Sequence, residues 1–272
     1  MSYDCIRLET SDGAGRIVFA MPEAANALTF QGVRELLDAL NACEADPGIG
    51  AVVLEGEGDA FCAGFNLKEI PPLAGSIEAV AAHFRELAMW WHLVLHKIVR
   101  IGKPVLAAVD GAAAGSGLGM ALCADLVVCS DRARFLCAWH TIGLANDATT
   151  SYSLAKIVGF RRAQEMMITN RTLDAAEALE WGIANRVYAQ ADFAASVDAI
   201  ARDLAAAPTH LQAMAKEGFH AGWRRPIEEA TEYEIRNVME SVAHPYFHAA
   251  LGRFLEDGGK SSRVQVRLPR GL

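Results

Sequence analysis

The segment from Val105 to Gly119 constrains the fold most. It reads Val-Leu-Ala-Ala-Val-Asp-Gly-Ala-Ala-Ala-Gly-Ser-Gly-Leu-Gly, an unbroken apolar run followed by a glycine-rich turn and small residues that can start a helix. The apolar run at 105–109 reads as a strand, and the residues that follow as a turn and a short helix near 116–123. A helix that starts among glycines leaves its first backbone N–H groups unsatisfied, and these can donate to an anion or a developing oxyanion. The glycines alone favour a plainer reading, a tight turn that lets the helix pack closely. The dinucleotide fingerprint does not fit, because no acidic ribose-binding residue follows at the required distance after a second strand.

Strand and helix alternate through the first half of the chain. Residues 5–8 and 16–19 are predicted strands joined at Ser11-Asp12-Gly13. Thr29 is placed to cap a helix in which Val33, Leu36, Leu37 and Leu40 follow the i, i+3, i+4, i+7 spacing. Residues 51–55 read as a buried-type strand, 126–129 as another strand, 76–100 as a long helix, and 134–136 as a sheet extension. After Asp147 the pattern predicts helices at 149–158, 161–169, 175–181 and 193–207 with little strand between them, then helix from Pro208 to about Leu255. On this reading, residues 1–207 form an α/β core and 208–272 a helical region that covers the core or packs on another subunit. The 272 residues suffice for one broad core with such an appendage.

The formal charge of -8 argues against nucleic acid or an anionic membrane surface as partner. The six cysteines form no C-x-x-C pair and no zinc-type spacing with histidine, so they read as reduced thiols of a cytoplasmic protein with no metal centre. The N-terminus has no basic stretch followed by an apolar one, so no signal peptide is expected. The run from Val105 to Cys123, interrupted by Asp110, is too short and broken to span a bilayer.

A second segment, Phe61-Cys-Ala-Gly64-Phe65-Asn66-Leu67, follows the strand at 51–55. Taken with the first, it resembles the pair of oxyanion-hole loops of the crotonase (enoyl-CoA hydratase/isomerase) superfamily. The resemblance runs from Pro22 and Asn26-Ala27-Leu28 to Arg171-Thr172-Leu173 and residues 175–182, nearly the whole chain. It implies an α/β fold, a spiral of ββα units with a helical C-terminal trimerisation region, and hence a homotrimer. It also implies that the Phe65 and Ser116 N–H groups hold a thioester oxygen, within turns made by Gly64, Gly115 and Gly117. Ser116 stands where the family has a glycine, and Ala25 where it has an arginine near the coenzyme A phosphates. Lys68 and Lys260 are then the candidate phosphate partners, Lys260 across a subunit interface. Coenzyme A enters as part of the substrate, with no separate cofactor.

The resemblance also separates branches of the family. Hydratases carry a glutamate where this chain has Gly119 and a second where it has Trp139. Instead, the runs Cys137-Ala-Trp139-His140…Asn146-Asp147 and Phe84…Trp90-Trp91-His92…His96 are similar to the branch of 4-chlorobenzoyl-CoA dehalogenases. The implied reaction converts 4-chlorobenzoyl-CoA to 4-hydroxybenzoyl-CoA. Asp147 attacks the ring carbon that bears chlorine, Trp139 aims its indole N–H at that carboxylate, and His92 activates the water that cleaves the aryl ester. Phe65, Phe84, Trp91 and Trp139 wall the ring. The alternative is a crotonase-type acyl-CoA hydrolase or isomerase with Asp147 as base. A non-catalytic acyl-CoA- or RNA-binding relative would instead carry a basic stripe and lack the Asp147, His92 and Trp139 set.

Plainer readings compete for each residue. Asp147 fits the cap of the following helix. Trp90 and Trp91 are ordinary core residues and, at ~100° apart, do not both line one pocket. His92 and His96 at i, i+4 could bind a metal, yet no further acidic or cysteine ligand lies near them in sequence. Cys62 and Cys137 read as small buried filler.

Overall fold

A computed structural model describes residues 3–70, 76–256, 258 and 265–272. Lys260 lies outside the described residues. The chain opens with β1 (Ile6–Ser11) and β2 (Ala14–Phe19), whose register pairs Ser11 with Ala14 and leaves a two-residue turn. Asp12 and Gly13 fill that turn with φ of 50° and 78°, both left-handed as a primed hairpin turn requires. Helix α1 (Phe30–Ala45) follows, its first turn capped by the Thr29 side chain, which accepts from Gly32 N–H.

Three further turns of the spiral repeat this plan. The second comprises β3 (Ala51–Gly56), β4 (Ala60–Cys62) and α2 (Ile77–Arg100), the third β5 (Val105–Val109), β6 (Ala112–Ala114) and α3 (Ser116–Cys123). The fourth comprises β7 (Leu126–Ser130), β8 (Arg134–Leu136), α4 (Thr150–Val158) and α5 (Phe160–Ile168). After these come β9 (Thr172–Asp174), α6 (Ala175–Glu180), β10 (Arg186–Tyr188), α7 (Gln190–Ala206), α8 (Thr209–Gly222), α9 (Ile227–Ala243) and α10 (Pro245–Glu256). In these three turns the first strand joins a sheet ordered β1-β2-β3-β5-β7-β10, to which both strands of the opening hairpin also belong, and the second joins a smaller sheet ordered β4-β6-β8-β9.

The large sheet is covered on both faces, which explains its unbroken apolar strands. Val52, Leu54, Val105, Ala107 and Val109 face the main core with α1 and α2. Ala51, Val53, Leu106 and Ala108 face the other way, under Phe193, Val197, Ile200 and Leu204 of α7.

One expectation needs correction. The stretch after Asp147 contains strands β9 and β10, and the glycine-rich turn before Ser116 contains β6. Each spans three residues, too few for a periodicity to show, and each is drafted by pairing with a strand already in place. The helices from Thr209 end at Glu256, as the expected helix to about Leu255 has it. Residues 265–272 return to the core: Val266 and Leu268 pack beside α7, Leu272 N–H donates to Val187 O at 2.8 Å, and Tyr188 Oη donates to Pro269 O at 3.0 Å. Among the described residues, no helix is long and apolar enough to cross a membrane.

Candidate active site

The two glycine loops meet. Leu28 lies alongside Phe65 in a parallel bridge, donating to Gly64 O at 2.8 Å and accepting from Asn66 N–H at 2.9 Å. That pairing uses the neighbours of Phe65 and leaves its own N–H on the opposite side. Ser116 is the first residue of α3, so its N–H has no partner within the helix. Among the described residues, neither N–H donates to any acceptor. Gly64, at φ 92°, brings these donors together: a Cβ there would stand 2.9 Å from Ser116 N and 3.0 Å from Ala114 O. Cys62 braces the turn, its thiol donating to Asn26 O at 3.1 Å while its sulfur accepts from Gly64 N–H at 3.3 Å.

Helix α3 carries the site from these donors to the carboxylate. Gly115, at φ 54°, turns the chain into the helix, and Gly117 in its first turn packs on the Cys62 carbonyl, where a Cβ would come within 2.1 Å. Three residues past Ser116, roughly 4.5 Å along the axis, Gly119 packs on the segment after Asp147. A Cβ at 119 would meet Ala148 O at 2.5 Å and Ala148 Cβ at 2.7 Å. The position that bears a glutamate in hydratases is thus filled by backbone.

Asp147 does not cap α4 with its side chain. Its carboxylate Oδ1 lies 2.8 Å from His92 Nε2 on α2, and both side chains are about two-fifths exposed, 40% and 44%. A side-chain pairing so wetted contributes only about 0–1 kcal/mol to stability even when both groups are charged, so stability does not account for its placement. The Asp147 carbonyl accepts instead from the N–H and hydroxyl of Thr150, at 3.1 and 2.7 Å.

Trp139 is buried in a short turn that follows left-handed Ala138, close after the β8 end at which Leu136 O accepts from Gly115 N–H. The Asp147 carboxylate is engaged by His92; among the described residues, no hydrogen bond from the Trp139 indole reaches it. Phe65 stands edge-on to Phe30 and beside His83, and Phe84 packs half-buried against the core. Trp91 is 1% exposed within the core, its indole N–H without an acceptor among the described residues, while Trp90 lies half-buried beneath the Arg34 guanidinium. The two adjacent tryptophans therefore serve different surroundings, as their angular separation requires.

Lys68 is exposed beside this loop, and its backbone N–H donates to the Asn66 side-chain oxygen at 3.1 Å. His92 and His96 stack with centroids 6.4 Å apart, and desolvation, with Arg100 and His92 nearby, holds the His96 imidazole below its ordinary range. Among the described residues, no group of three or more His, Cys, Asp or Glu is placed to hold a metal. Burial pushes the Cys62 and Cys137 thiols up to about 12, which makes both unreactive at neutral pH. A cavity of about 870 Å³ opens elsewhere, beneath α8, among His96, Cys123, Thr149, Lys216 and Trp223; Phe65, Ser116, Trp139 and Asp147 do not line it.

Sequence reasoning missed Thr150, Thr149 and His83. The doublet Thr149-Thr150 after Asp147 was a signal, since hydroxyl residues beside an acid compete for the same helix-start donors. His83 gave none.

A spiral of ββα units, with two glycine loops that meet and leave two N–H donors free, is the architecture of a crotonase-class enzyme. A model of the enoyl-CoA hydratase/isomerase family matches residues 9–261, and the chain belongs to that family, whose members act on acyl-CoA thioesters. Two Arthrobacter proteins, 4-chlorobenzoyl coenzyme A dehalogenase-1 and -2, are each 49% identical over 97% of this chain and 95% of their own length. The crystal structure of an enoyl-CoA hydratase from Mycobacterium smegmatis superposes with a TM-score of 0.86 at 28% identity, covering 93% of this chain and 97% of that one.

Proposed function

We propose that this chain is a hydrolytic dehalogenase of 4-chlorobenzoyl-CoA. The observation that carries the reading is the His92–Asp147 hydrogen bond at 2.8 Å, in a chain with glycine at 119 and tryptophan at 139, where the segment after Asp147 packs on the helix that Ser116 opens. An aryl chloride yields to a nucleophile only if the ring can push charge into a para acyl group. Two N–H donors on the thioester oxygen supply that sink, and one such donor is typically worth ~2.7–4 kcal/mol. An Asp147 oxygen then bonds to the ring carbon and chloride leaves, giving an aryl ester. Water attacks the ester carbonyl of Asp147, giving up its proton to His92, and 4-hydroxybenzoyl-CoA departs with the former Asp147 oxygen.

In this reading Phe65, Phe84, Trp91 and Trp139 form the aromatic wall, and Lys68 with Lys260 meets the coenzyme A phosphates. The reaction needs no metal and no redox cofactor. The molecule assembles as a homotrimer through residues 208–272, a reading supported by α9 and α10, which bury none of their residues and expose Ile235, Val238, Met239, Leu251, Phe254 and Leu255. The deciding experiment measures halide release from 4-chlorobenzoyl-CoA beside hydration of crotonyl-CoA. Chloride release without hydration is expected; hydration or thioester cleavage without halide would return Asp147 to the role of base.

A further inference from the structure

Two consecutive residues after Asp147 are left-handed without being glycine, Ala148 at φ 53° and Thr149 at φ 62°. For a β-branched residue this conformation is a genuine outlier, and it persists only where the surroundings over-determine it. Three sets of interactions do so. Ala148 is wholly buried against Gly119. The Thr149 hydroxyl lies 3.3 Å from Cys123 Sγ and 3.2 Å from Ser153 Oγ. Thr150, 1% exposed, closes its N–H and its hydroxyl onto the Asp147 carbonyl.

The Thr150 bonds redirect the carboxylate. An aspartate just ahead of a helix ordinarily turns its side chain onto the first free N–H groups, which hold it there. Here the first N–H of α4 is occupied by the main-chain carbonyl of Asp147, and the helix start receives no side-chain cap from Thr149. The carboxylate is left free of the helix and reaches across to α2.

We propose that Thr150 is a positioning residue for Asp147: its buried hydroxyl locks the Asp147 carbonyl so that the carboxylate is presented to His92 and the substrate instead of capping α4. The proposal rests on Asp147 being the reacting carboxylate. A displacement of about 1 Å in a reacting group costs up to ~10²-fold in rate, so the hydroxyl is required for the rate and not for ligand binding.

The test pairs Thr150→Val, which keeps the shape and removes the donor, with Thr150→Ser, which keeps the donor. With 4-chlorobenzoyl-CoA, Thr150→Val is expected to slow the single-turnover release of chloride by roughly 10–100-fold. Ligand affinity and the red-shifted absorbance of the bound thioester, which report Phe65 and Ser116, stay at parent values, and Thr150→Ser returns most of the rate. A Val variant with parent-like chloride release overturns the proposal. Crystal structures of both variants give a readout independent of the reaction. The His92–Asp147 hydrogen bond should be broken in Val and kept in Ser; its survival in Val overturns the proposal even if the parent protein releases no halide. A parent that releases no halide, together with a Val variant whose Asp147 carboxylate has swung away from His92, overturns the dehalogenase reading alone.

Discussion

His92 Nε2 and Asp147 Oδ1 stand 2.8 Å apart, from elements that share no other role: His92 from the middle of α2, Asp147 from the loop that leads into α4. In the proposed mechanism, the imidazole holds one oxygen of the carboxylate and leaves the other for attack. Once that carboxylate is esterified, the same imidazole would lie beside the carbon that water must reach. On that reading one pairing serves both half-reactions.

Replacing His92 by Gln is therefore expected to spare arylation more than hydrolysis. Rapid-quench measurement should record a burst of chloride near one equivalent per site, followed by a slow phase, with an aryl-enzyme adduct seen by mass spectrometry. Turnover at the parent rate would make His92 a packed histidine only.

Asp147 as nucleophile makes a distinct prediction for isotope. In a single turnover in oxygen-18 water, the label should enter the Asp147 carboxylate and be absent from the hydroxybenzoyl product. Label in the product after one turnover would mean that water attacks the ring directly.

Gly119 is expected to tolerate no side chain. Its Cβ would meet the Ala148 carbonyl oxygen at 2.5 Å, and backbone cannot step aside as a side-chain end can. Overpacking of this kind costs about 1–3 kcal/mol, and the segment displaced is the one that aims Asp147. Gly119→Ala should lower the urea midpoint and slow chloride release together, and Gly119→Glu should not create crotonyl-CoA hydration. A hydrating Gly119→Glu enzyme would show that the segment yields.

Substitutions at Ser116 test the proposed oxyanion donor. Ser116→Gly and Ser116→Ala keep the N–H and should retain most activity. Ser116→Pro removes the donor where proline is well accepted at a helix start. It should fold and bind ligand, yet lose roughly 10²–10³ in turnover and the absorbance red-shift of a polarised benzoyl thioester. A folded Pro variant with parent turnover would place the donor elsewhere, and an inactive Gly variant would make the hydroxyl a participant.

Much of this was readable from residue order. The long periodic helices, the unbroken strands and the Thr29 cap are local, so their signals survive in sequence. Strands β4, β6, β9 and β10 are not local: three residues carry no period, and their neighbours in the sheet decide them. At the site, the glycines marked both loops because close approach leaves room for nothing else. The direction of Asp147 was not legible. A carboxylate before a helix reads as a cap, and only the Thr150 hydroxyl, the close packing of Gly119 and the distant His92 redirect it. Trp91 was equally opaque, since adjacent tryptophans look alike until the helix is rotated onto its core.

The helical region is fastened to the core by a buried ion pair. Lys216 Nζ on α8 donates to Asp125 Oδ2 at 2.7 Å and to the carbonyls of Ile98 and Lys103 at 2.7 and 3.2 Å. Burial works against both charges, lowering the Lys216 pKa and raising that of Asp125 despite their attraction. Removing one partner leaves the other buried and uncompensated, which typically costs about 3–5 kcal/mol. Lys216→Met should lose stability of that order in urea at pH 8, and Lys216→Met with Asp125→Asn should recover part of it. The pH dependence has a definite sign. An acid whose folded pKa lies above its unfolded value adds stability below the unfolded value, and this is lost as pH rises through the folded one. Without Lys216 the attraction that held the Asp125 carboxyl down is gone, so its folded pKa rises further. The deficit of Lys216→Met against the parent should therefore shrink as the pH falls from 8 toward 5. A deficit that is constant across that range would mean that Asp125 gains water in the variant, and that the pair fastens α8 through packing of the lysine stem instead of through its charge.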